Sequence, residues 1–199
     1  IRLIGGYCRQ AGLALETLDM QASLKRKIER LASLVDMVDD FSTEQNYRNL
    51  LQTVLDRSAE LLLAEQGSIM LIEKETDVLL LEASRGMLKE PVQRFRVPKG
   101  VGIAGRVAEM GEAILVEDIE HDPRIGTKNQ AKYKTASFVS VPLKIGNRVV
   151  GVMNFTDKAT GEYFDDVDLR FAQTCASHAA AVLDHKEMSE ETERLKQQA

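Results

Sequence analysis

At 199 residues the chain has room for one well-packed domain with extra helix, and too little for two complete cores. Its apolar fraction of 44% and charged fraction of 29% are those of an ordinary water-soluble fold, and its apolar runs are too short to span a bilayer as a helix. The net charge of -5, with Lys and Arg spread along the sequence, leaves no basic stripe to neutralise phosphates and argues against nucleic acid as a direct partner.

Two cysteines, Cys8 and Cys175, lie far apart and form no CxxC pattern, which argues against a disulfide scaffold and a structural zinc site. They point to a reducing, cytoplasmic setting. The start at Ile1 and the lack of a signal peptide lead us to expect a piece of a longer chain with flanking domains, and leave open whether its parent is membrane-anchored.

From about Arg9 to Asp40 there is no Pro, and Leu24, Ile28, Leu31, Val35 and Val38 recur at steps of four and three. This predicts a connector helix over 1–40 with a coiled-coil seam, so that the chain pairs with a second copy through its terminal helices; packing of the same stripe on the chain's own sheet is the alternative. Ser42 and Gln45 then form a capping box, opening a helix whose apolar face (Tyr47, Leu50, Leu51, Val54, Leu61, Leu62) runs to about Ala64.

Beyond it the period shortens. Gly67–Glu73 and Val78–Ala83 are short apolar runs joined by the polar turn Lys74–Asp77, a hairpin of interior strands, and a third short strand is expected near Arg94–Val97. Ser137–Ile145, a Gly146-Asn147 turn and Arg148–Thr156 read as a second hairpin with a primed turn and Val139, Val141, Leu143 and Ile145 on one face. Asp165 or Asp166 caps a final helix from about Val167 to the end; a helix of about 30 residues extends about 45 Å, more than a compact domain needs.

Ile1–Met20 can be laid over Leu169–Met188, with Arg2 on Arg170, Ala11 on Ala179, Leu15 on Leu183 and Met20 on Met188. Shared helical composition is one explanation of this similarity; the preferred one is a tandem array, in which residues 1–20 are the tail of a preceding copy of the domain.

The segments Phe95–Glu112 (FRVPKGVGIAGRVAEMGE), Ile114–Arg124 (ILVEDIEHDPR), Ser137–Leu143 (SFVSVPL) and Val149–Asp168 (VVGVMNFTDKATGEYFDDVD), in this order and spacing, resemble the GAF domain family. The resemblance implies an α+β fold over 41–184, with a central antiparallel sheet of about six strands, helices on both faces as in GAF and PAS domains, and long N- and C-terminal helices. Residues 185–199 then begin a C-terminal signalling helix. It also implies a non-catalytic sensory role in signal transduction. A small molecule would bind between the sheet and an irregular roof and act on dimerising terminal helices; a ligand-free dimerising spacer is the alternative. Expected lining residues are Met70, Ile103, Ala104, Val116, Asp118, Ile119, Arg124, Phe138 and Ser140.

Some family members that bind cyclic nucleotides carry an Asn-Lys pair, a Phe and an Asp-Glu pair. Here Asp157-Lys158, Phe164 and Asp168-Leu169 stand in those places, a departure that weighs against a cyclic nucleotide. Lys158 and Asp168 remain able to clip the last strand to the final helix. Relatives that reduce free methionine sulfoxide or attach a bilin do so through pocket cysteines, whereas Cys8 and Cys175 map to terminal helices, so no covalent bilin is expected. The ligand itself is not legible.

Other chemistry is thin. Gly100, Gly102 and Gly105 lack the ending of a phosphate loop and read as a turn into a short helix, its free amides aimed at a ligand or its glycines needed for close packing. Asp122-Pro123 reads as a turn, His121 as a solvated loop residue, and His178 and His185 are too far apart on one helix to chelate a metal. No nucleophile and base stand in a recognisable order.

Overall fold

The structure, a computed structural model, describes residues 44–86, 95–124 and 134–197. The expected connector helix, the capping box at Ser42 and the repeat of residues 1–20 lie outside the described residues.

Apolar residues at helical spacing build α1 (Glu44–Leu61), which buries Tyr47, Leu51, Val54, Leu55 and Ala59 along one face. The helix stops short of the expected Ala64 because Leu63 turns to a left-handed φ of 53° and Ala64 already pairs with Lys158 in the sheet. Six strands follow: β1 (Ala64–Glu73), β2 (Val78–Arg85), β3 (Arg96–Pro98), β4 (Ile114–Val116), β5 (Phe138–Ile145) and β6 (Arg148–Lys158). They form one antiparallel sheet in the order β3-β2-β1-β6-β5-β4, so the two hairpins join edge to edge through β1 and β6.

Both faces of the sheet are covered, which is why its central strands read as nearly continuous apolar runs rather than as an alternation. On β5 the sequence led us to expect a single inward face through Val139, Val141 and Leu143. These three are buried, and so are Phe138 and Ser140, which point the other way. One face carries α1 and the terminal helix α3 (Asp166–Gln197); the other carries α2 (Gly102–Met110), whose Val107 and Ala108 pack with Met70, Leu79, Leu81 and Val152.

α3 begins as expected at Asp165, whose carboxylate accepts the Val167 and Asp168 amides at 2.8 and 3.0 Å. Its inner face is small-residue rich: Ala172, Ala176, Ala179 and Ala180 are buried and let it lie close against β5 and α1. Burial ends at Leu183, and the last two turns are exposed.

Where α3 leaves the core, Glu187 pairs with Arg148, beside the β5–β6 turn, and with Lys74, in the β1–β2 turn, the latter at 3.2 Å. Burial alone would raise the Glu187 carboxyl, but the two cations outweigh it and hold it below the ordinary glutamate value. A carboxyl lowered on folding stabilises the fold above its unfolded pKa and loses that contribution as pH falls through its folded value. Glu187→Gln is therefore expected to cost up to about 1 kcal/mol at neutral pH for this partly exposed group, and nothing measurable well below the carboxylate range. Urea unfolding of both proteins at the two pH values checks this.

Candidate functional site

Above the β1–β6–β5 part of the sheet, on the face away from α1 and α3, lies a cavity of about 310 Å³. Its floor comes from alternate residues of the strands, which point to one side of the sheet: Gln66, Ser68 and Met70 of β1, Leu81 of β2, Phe138 of β5, and Asn154 and Thr156 of β6. Its roof comes from Phe95 and Val97, the first turn of α2 (Gly102, Ile103, Ala104), Ile119, and residues 135–137. The walls are mainly apolar, and among the described residues no charged side chain lines them.

The first turn of α2 has no side-chain cap on Val101, and no other acceptor for its leading amides is seen among the described residues. The glycines there divide their roles. A Cβ on Gly105 would sit 2.4 Å from the Pro98 carbonyl, and Gly105 itself accepts the Gly100 amide at 2.8 Å, so this glycine serves close packing of α2 on the preceding turn. Gly102, with a φ of 65° and open space around it, lines the cavity.

Behind the lining, Asp157 is buried with a left-handed φ of 57°. Its carboxylate accepts the Gln66 side-chain amide at 2.7 Å and the Thr135 backbone amide at 2.9 Å, tying floor to roof. Lys134 also pairs with Glu65 across the same gap. Ser137, at the roof edge, donates to the Val116 carbonyl at 3.0 Å and accepts the Phe164 amide at 2.9 Å, joining β4, β5 and the approach to α3. Lys158 Nζ donates to Asp168 Oδ2 at 2.6 Å, with both side chains largely buried.

Of the residues expected to line the site, Met70, Ile103, Ala104, Ile119 and Phe138 meet around the cavity. Four do not. Val116 is fully buried in the core beneath it. Asp118 is spent on the loop itself: its carboxylate lies 2.8 Å from His121 Nδ1 and accepts the Glu120 amide, and the His121 ring holds it below the usual carboxylate range. Arg124 folds back on Asp122 and donates to the Leu115 carbonyl at 2.8 Å, which fixes the loop after β4. Ser140 is buried one step behind the lining, donating to Asn154 Oδ1 at 2.7 Å.

The sequence reading missed Gln66, Ser68, Asn154 and Thr156. Ser68 and Asn154 carry a signal nonetheless, since each is a polar residue inside an apolar strand run.

Cys175 lies on the opposite face of the sheet, within the α1–α3 layer, where burial pushes its thiol up to about 11 and Ser58 only partly offsets this. A thiol so protonated and enclosed is a poor nucleophile. Cys175 is expected to resist a disulfide-exchange reagent in the native protein and to react only at the rate of unfolding, which stopped-flow labelling in increasing urea would show.

The sequence profile of the GAF domain matches residues 44–184, and the chain belongs to the GAF domain family. It is 27% identical over 159 residues to the dual 3',5'-cyclic-AMP and -GMP phosphodiesterase 11 of Drosophila melanogaster, covering 72% of this chain and 11% of that protein. It is 26% identical over 183 residues to the Nif-specific regulatory protein of Azospirillum brasilense, covering 84% of this chain and 29% of that one. The chain thus spans less than a third of either curated relative. Among solved structures, the GAF domain of an Acinetobacter phosphoenolpyruvate-protein phosphotransferase superposes with a TM-score of 0.68 at 20% identity, covering 85% of this chain and 95% of that one, a likeness of fold.

Proposed function

We propose that this domain is a non-catalytic, cytoplasmic sensor that binds a small molecule in the cavity between sheet and roof and passes its occupancy to α3, which pairs with a second copy. The observation that carries this reading is the cavity itself: about 310 Å³ of space over a sheet whose other face carries the helix that leaves the domain. A concave site with mainly apolar walls and a few polar groups among them is the usual form of a small-molecule site. The regulatory relative from Azospirillum brasilense supports a signalling context. The position of Cys175 on the other face speaks against thiol chemistry in the cavity.

Thermal-shift screening against nucleotides, amino acids, haem and small acids, repeated on an Ala104→Phe variant that fills the cavity from its roof, tests the proposal. A compound that stabilises the native domain and not the variant supports it, because only binding to the folded state raises the melting temperature. Stabilisation that persists in the variant, or none by any compound, would refute binding in this cavity.

A further inference from the structure

Three polar side chains lie in a row at the cavity floor, Ser68 and Asn154 lining it and Ser140 one step behind. Ser140 of β5 is the cross-strand partner of Asn154 of β6, and Asn154 is the partner of Ser68 of β1, so the three share one face of three adjacent strands. Ser140 is fully buried and Ser68 only 8% exposed. Side chains of this kind in the floor of an apolar cavity carry a desolvation cost that three Val or Leu residues would avoid.

Their hydrogen bonds have a fixed direction. The Ser140 hydroxyl proton has one acceptor among the described residues, Asn154 Oδ1 at 2.7 Å. Accepting that proton orients the amide, so that Asn154 Nδ2 donates to Ser68 Oγ at 3.1 Å. Two hydrogens are then left over, the Ser68 hydroxyl proton and the second proton of Asn154 Nδ2. Both residues line the cavity. The uncapped amides at the start of α2, across the cavity, add donors of the same sign. Donors that face a ligand space are best met by acceptors on its occupant, so this site favours acceptors. The described walls are mainly apolar, and burying a full charge against them is costly.

We infer that the Ser140–Asn154–Ser68 row selects an uncharged, largely apolar molecule bearing a carbonyl-type oxygen, with Ser68 and Asn154 as the contacting donors and Ser140 as the residue that positions the amide. This rests on the reading of the cavity as a ligand site. It adds the chemical class of the ligand and the residues that read it.

Matched probes test it. A cavity of about 150 Å³ suffices for benzene, so this one admits a substituted ring. Binding of acetophenone, ethylbenzene, 1-phenylethylammonium and benzoate to the full chain is followed by the side-chain amide signal of Asn154 and by titration calorimetry. Acetophenone is expected to bind at least about 10-fold more tightly than the other three, the discrimination typical when a buried donor is met or left unmet. Asn154→Leu is expected to erase the preference over ethylbenzene while retaining ethylbenzene binding. Should that variant fail to fold, Ser68→Ala serves the same purpose, with a partial loss expected. Ser140→Ala is expected to free the amide to turn and to let 1-phenylethanol approach acetophenone in affinity.

Equal binding of acetophenone and ethylbenzene to the native protein, or binding of benzoate as tight as that of acetophenone, would overturn the inferred ligand class and leave the cavity standing as a ligand site. Failure of every probe to bind would overturn the cavity reading and this one with it.

Discussion

Phe155→Ala is expected to destabilise the domain by about 3–5 kcal/mol, a large part of the roughly 5–15 kcal/mol that holds a domain folded. Phe155 is fully buried in the central strand β6, on the face that meets α1. Its ring approaches the place of a Cβ on Gly67, its neighbour in β1, to 3.3 Å, and Leu55 of α1 closes the same spot at 3.1 Å. Space so tightly filled cannot collapse around a missing ring, so the cavity cost adds to the lost transfer energy. Phe138 provides the contrast. It is also buried, but it borders the cavity, and Phe138→Ala is expected to cost about half as much because fewer packed atoms lose a partner. Urea unfolding of the two variants measures both. Equal costs would mean that the cavity face is packed as tightly as the helical face, against the space seen there.

What the sequence disclosed follows from the range of each physical signal. The helices α1 and α3 and the two hairpins are local features: spacing of apolar residues, a capping Asp165, a two-residue Gly146-Asn147 turn, and each stands in the structure within a few residues of its expected place. The sixth strand, Ile114–Val116, is three residues long, too short to show a period, and was implied only by the family resemblance. Met70, Ile103, Ala104, Ile119 and Phe138 were readable as lining because apolar residues near the roof and floor have few other places to go. Asp118 and Arg124 lie away from the described lining and brace the loop, a placement the sequence does not reveal because a charged loop residue looks the same whether it faces a ligand or its own backbone. Ser68 and Asn154 were overlooked because their meaning depends on cross-strand register, which brings residues 86 positions apart into hydrogen-bond contact.

Asp168→Ala is expected to cost about 3 kcal/mol, the low end of the range for stranding one charge of a largely buried pair. Asp168 Oδ2 accepts from both Lys158 Nζ at 2.6 Å and the Asp165 amide at 3.0 Å, while Asp165 in turn caps the Val167 and Asp168 amides. The single carboxylate therefore completes the N-terminus of α3 and fastens it to the end of β6. Removing it leaves the Lys158 ammonium in a pocket where only 12% of its side chain reaches solvent, with the Phe164 ring 5.6 Å away. Asp168→Asn should cost less, since an amide oxygen still accepts from both donors. The double variant Lys158→Met/Asp168→Leu should cost less than the sum of the singles, because it strands no charge. A double-mutant cycle by urea unfolding that returned a coupling near zero would reduce the pair to a surface contact. A coupling of about 1 kcal/mol or more would establish a firm joint between β6, which floors the cavity through Asn154 and Thr156, and α3, the helix proposed to respond to its occupancy. Because Asp157, next to Lys158, also holds Gln66 and Thr135 at the cavity wall, loosening the joint should weaken the response of α3 to a bound molecule more than it weakens binding itself.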